Sequence, residues 1–194
     1  MKDLLPDTPP HGVLGAVSRH LLRAELVLGA ALAAVIFALI PANAVLRHYG
    51  HPLLWAEELA VHLMVWLAFI GGSVCIATRQ HMAIGLLPDR LSPRGRQRLA
   101  VLCDLLVLCF LLVMGWLCWL WFDPVGLWRA GDARSYAQAS FNFTWSEPML
   151  TMHLRKVWFW LIVPVSLAVA VVHALAVLAD DIAGRIPPRS EVPA

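Results

Sequence analysis

Leu54–Thr78 reads LWAEELAVHLMVWLAFIGGSVCIAT, and beyond Glu58 it holds no Asp, Glu, Lys or Arg. A run of that length and polarity is the mark of a helix crossing a bilayer, which needs about 20 mostly apolar residues. It shows no period-2 alternation, so it does not read as a strand. Three further runs flank it: Ala24–Val45, Leu99–Leu127 and Val157–Ala179. The chain of 194 residues is 60% apolar and 14% charged, with a mean hydropathy of +0.70. Soluble domains carry roughly 25% charged residues. The composition therefore argues against a soluble enzyme, a disordered chain and a nucleic-acid binder. The expected fold is an all-α integral membrane protein with four transmembrane helices in one domain. Residues 79–98 would form a basic loop on one side, and residues 128–156 a loop on the other.

Ten of the fifteen basic residues fall on one side of such a layout: Lys2, Arg19, Arg23, Arg79, Arg90, Arg94, Arg96, Arg98, Arg185 and Arg189. Arg47, Arg129, Arg134, Arg155 and Lys156 fall on the other. The positive-inside bias puts both termini in the cytoplasm. Trp116, Trp119, Trp121 and Trp128 crowd the end of the third run, and Trp158 and Trp160 open the fourth. Both sets belong at one outer interface, where amphipathic rings settle. Ala42-Asn43-Ala44 offers a rival reading as the cleavage site of a leader. The length of the first run favours a retained anchor. As a continuous helix, Gln97–Leu127 would reach about 46 Å, so the third run calls for tilt or a break near Asp123-Pro124.

Ionisable residues inside the runs are the usual pointers to function. Glu58, His62 and Trp66 recur one turn apart on one helical face and form a polar stripe able to dock on another helix. Arg47 is placed to pair with Glu57 or Glu58. Asp104 is expected near the inner surface beside Arg98, with a partner helix as the alternative. Gly71-Gly72 suggests close helix packing. His62 and His173 raise the possibility of a haem-bearing cytochrome b-type anchor, but upright helices would set them roughly 13 Å apart in depth. The cysteines Cys75, Cys103, Cys109 and Cys118 lie in apolar runs without metal-site spacing. There is no phosphate loop or nucleophile-elbow motif. No catalytic residue, substrate site, metal or cofactor is assigned. With no repeat and few polar groups at mid-depth, four helices make a poor solute path. An accessory subunit or membrane adaptor fits better.

The segment Asn43–Leu87, NAVLRHYGHPLLWAEELAVHLMVWLAFIGGSVCIATRQHMAIGLL, resembles the signature stretch of the small membrane subunit of TRAP (tripartite ATP-independent periplasmic) transporters, the DctQ family. The matching positions are Arg47, Tyr49, Trp55, Glu57, Glu58, Trp66, Gly71, Arg79 and His81. His48 intervenes between the arginine and the aromatic residue, and Pro164 is a weaker point of likeness. The resemblance implies a multi-pass protein of the bacterial inner membrane that is not an enzyme. It implies a scaffold for a large permease subunit, which performs sodium-driven uptake of an organic acid delivered by a periplasmic solute-binding protein. Trp55, Glu57, Glu58, Trp66 and Gly71 would then serve packing or the large-subunit contact. Arg79 and His81 would anchor the basic loop to lipid headgroups or the partner. The outer loop from Trp128 to Lys156 is a candidate contact for the binding protein. The resemblance also argues that the first helix is kept.

Overall fold

A computed structural model describes residues 12–79 and 92–184. Four of its helical stretches are long and apolar enough to cross a membrane. Helix α1 runs Gly12–His48 and α2 runs Leu54–Ala77. The third stretch is α3, Pro93–Phe122, continued by α4, Pro124–Ala130. The fourth is α6, Val157–Trp160, with α7, Ile162–Ile182. Between the last two lies the short α5, Ala133–Ser140, inside the segment expected as loop.

Helix α1 has 37 residues and is roughly 55 Å long. It begins well before the apolar run at Ala24 because Gly15, Ser18, Leu22 and Glu25 are buried. It ends at Gly50, whose φ of 80° suits glycine. There Gly50 N–H donates to Arg47 O and His51 N–H to Leu46 O, satisfying the last carbonyls. The side chain of Asn43, inside the tripeptide with the leader-like pattern, accepts from Leu53 N–H at 2.8 Å and starts α2.

The third stretch breaks where expected. Asp123 closes α3 in the left-handed region, and its carboxylate accepts from Gly126 N–H at 2.9 Å to open α4. Pro124 supplies the first helical position, where its missing N–H costs nothing. In the fourth stretch Pro164 has no N–H for Trp160 O, which accounts for the interruption between α6 and α7.

Helices α1, α2 and α7 pack on one another, and α3 packs along α7. Small buried residues on α7, among them Ser166, Ala170 and Ala174, allow close approach. Leu111 of α3 fills the space against Ala170 and Ala174. Leu32, Ile70 and Ile162 join the other three helices. At one end Cys118, Phe122 and Val157 pack with Trp145 and Trp160. The Trp121 and Trp160 rings meet with centroids 5.3 Å apart, so the two tryptophan clusters touch at this end of the bundle.

Candidate functional site

The sequence motif is distributed along α2 at three depths. At its first turn Glu57 pairs with Arg47, the choice left open between Glu57 and Glu58. These side chains are 61% and 59% exposed, and an ion pair so exposed is worth less than about 1 kcal/mol. Glu58 has a different partner. Its carboxylate accepts from Leu150 N–H and Thr151 N–H, both at 2.8 Å, and from the Thr151 hydroxyl at 2.5 Å. It thus holds the tip of a small hairpin whose arms are joined by Met149 N–H to Leu154 O and Lys156 N–H to Glu147 O. One turn on, His62 Nδ1 lies 2.7 Å from Glu58 O, and its ring packs on Phe159. At mid-helix the Trp66 indole donates to Phe159 O at 2.8 Å. Glu58, His62 and Trp66 therefore face the outer segment and α6. Trp55 remains exposed.

Gly71 and Gly72 are not close-packing positions within the chain, contrary to the sequence expectation. A Cβ on either would meet nothing within 4 Å. Gly29 lies at the α1–α2 contact instead, against Leu67 and Ile70.

Beyond the other end of α2, Arg79 corrects the expectation of a headgroup anchor. It turns inward: Nη1 donates to Asp181 Oδ2 at 2.8 Å, Nη2 pairs with Oδ1, and Nη2 also reaches Val177 O at 3.2 Å. Asp181 is fully buried. Gln97 adds a hydrogen bond from Nε2 to Asp181 O at 2.9 Å. Asp104 is also corrected: it is 3% exposed and faces Asp181 on α7, away from the water beside Arg98. His81 lies outside the described residues.

A second buried set was not read from sequence as a group. His173 Nδ1 is 2.7 Å from Ser18 Oγ, and Nε2 is 3.0 Å from Glu25 Oε2. This chain of contacts ties α1 to α7. Glu25, a lone acid in the first apolar run, was the signal available. Both nitrogens of His173 are engaged, so the histidine pair does not suit axial ligation of haem iron.

The outer segment is stitched to the end of α3. Trp145 Nε1 donates to Phe122 O at 2.5 Å and Asn142 Nδ2 to Trp121 O at 2.8 Å, filling carbonyls that the helix end leaves open. The Tyr136 hydroxyl donates to Asp123 Oδ2 at 3.0 Å. Burial raises the Tyr136 phenol above its ordinary value. At the start of α5 the Asp132 carboxylate accepts from the Ser135 hydroxyl and from the Ser135 and Arg134 amides, which hold it below the usual carboxylate range.

The sequence pattern of the DctQ component of tripartite ATP-independent periplasmic transporters matches residues 36–184, more than three quarters of the chain. The chain belongs to the DctQ family. A protein of Haemophilus influenzae named as a TRAP transporter small permease is 26% identical over 106 residues. That match covers 53% of this chain and 66% of the relative. Membership makes this DctQ chain a multi-pass transporter subunit, not an enzyme. The matched region takes in all of α2 through α7 and the last third of α1, so it includes each depth at which the motif residues act.

Proposed function

We propose that this DctQ chain is the small permease subunit of a TRAP transporter in the bacterial inner membrane, with both termini cytoplasmic. In this reading it braces the large permease subunit, which takes up an organic acid delivered by a periplasmic binding protein, driven by an ion gradient such as that of sodium. The observation that carries the reading is the inward use of polar groups. Glu25, Asp104, His173 and Asp181 are buried and turned toward groups on other helices. The long faces of α1 and α3 expose apolar side chains such as Phe37, Leu106 and Phe110. A bundle clamped inside and apolar outside suits a brace better than a solute path.

Glu58, Trp66 and Arg79 are spent on contacts within the chain, so they act on a partner through the shape they hold. Trp55 and Gly71, with the neighbouring Gly72, keep open sides and are among the positions available to the large subunit. Affinity purification of the tagged chain in mild detergent tests the proposal. A stoichiometric polytopic partner much larger than this chain is the expected result. Purification of the chain alone, or with a redox enzyme, would overturn it. Uptake in vesicles carrying both subunits and the binding protein, with and without a sodium gradient, then tests the coupling.

A further inference from the structure

Where α3 packs along α7, Asp104 is buried with Oδ2 unpartnered, and the acid it acts on across the interface is Asp181. An ionised carboxylate is an acceptor only. Two neighbouring buried carboxyl groups cannot both ionise without repulsion, and only a protonated one can donate to the other. One arginine serves the pair. Arg79 forks onto both oxygens of Asp181 and braces its fork on Val177 O. That arrangement matches the charge of Asp181 and leaves none for Asp104.

The surroundings of Asp104 point the same way. It is 3% exposed, and its Oδ2 has no hydrogen-bond partner. An ionised carboxylate with a bare oxygen inside an apolar span carries a heavy desolvation cost, whereas a neutral acid does not. The charged groups that act on Asp104 are Asp181 from α7 and Arg79 from the end of α2. On α3 itself, Gln97 lies two turns away on the same face. It is neutral and is bonded to Asp181 O.

We propose that Asp104 carries a proton and donates it to Asp181, so that the adjoining ends of α2, α3 and α7 form a buried proton-binding site. The proton lets one guanidinium fasten three helices. Without it, α3 would present a bare negative charge to the carboxylate it has to bind. This inference is independent of the transport assignment.

Infrared spectroscopy of the full chain in lipid nanodiscs at neutral pH tests it. The expected spectrum contains a carbonyl band of a protonated carboxyl that shifts when the protein is made with aspartate labelled with heavy carbon. The band should disappear in Asp104→Asn. The asparagine amide supplies the same donor to Asp181, so this variant should unfold at the wild-type temperature, whereas Asp104→Leu should unfold earlier. Three results would overturn the proposal. One is the absence of a label-sensitive acid band in the wild-type protein, a reading that needs no variant to fold. Another is a band that survives Asp104→Asn and is lost in Asp181→Asn. The third is a band seen only after sodium is removed, which would make a sodium ion the occupant.

Discussion

Burial separates two arginine–carboxylate pairs at the two ends of α2. Arg47–Glu57 lies largely in the open, whereas Arg79–Asp181 encloses a carboxylate with no exposed surface. Arg79→Ala strands Asp181 without its cation, and breaking a buried pair in this way costs about 3–5 kcal/mol. Arg47→Ala should cost less than about 1 kcal/mol. Thermal unfolding of the two variants in one detergent should show a large loss for the first and little for the second. At Asp132 the effect depends on pH. Its folded-state value is depressed, chiefly by the Ser135 hydroxyl and then by backbone amides. The stability it gives α5 is present above the unfolded value of about 3.9 and is lost as pH falls through the lower folded value. Hydrogen exchange at Arg134 and Ser135 should accelerate only in that acid range. Asp132→Asn, an equally good cap with no proton to gain, should remove the dependence.

Helix ends and breaks follow local chemistry that can be read in advance. Gly50, Ser92-Pro93 and Asp123-Pro124 each stand where a helix stops or starts. The corner after α3 is also built from outside, by Tyr136, Asn142 and Trp145. Gly126 shows how tight that corner is. A Cβ there would run into the Asp123 carboxylate and the Tyr136 ring, whereas one at Gly115 would meet nothing within 4 Å. Gly126→Ala should therefore lower the unfolding temperature. Gly115→Ala should leave it level or raise it, since alanine favours a helix over glycine by about 1 kcal/mol. The contrast between the two melting curves checks the corner.

Across the whole molecule, α7 is the hub: α1 and α2 pack on it and α3 packs along it. Ala174, buried on α7 against Leu111, lies in the α3 contact. Ala174→Leu should overpack it at a cost of about 1–3 kcal/mol and appear as a lower unfolding temperature of the isolated chain. Gly72→Leu has room, so the isolated chain should keep its stability while recovery of the large subunit falls. Those two measurements together separate a surface that holds the bundle from one offered to a partner. Equal recovery with Gly72→Leu would remove that face from the proposed contact.

Local composition and chain order determined that this is a four-helix membrane protein, because a bilayer leaves an apolar stretch of about 20 residues few structures besides a helix. They also marked Asp123-Pro124 as the place for a break, with tilt as the alternative, and carried the DctQ resemblance along Asn43–Leu87, since both rest on neighbours in sequence. The partners of the polar groups were decided only by tertiary structure. Ser18 and His173 are 155 positions apart, Arg79 and Asp181 are 102 apart, and Glu58 and Thr151 are 93 apart. No helical period links such residues. Asp104 was expected near water and Arg79 near headgroups because each has a local reason to be there. In the folded bundle, α7 brings Asp181 between them, and the cost of an unpaired charge in a span outweighs both local preferences.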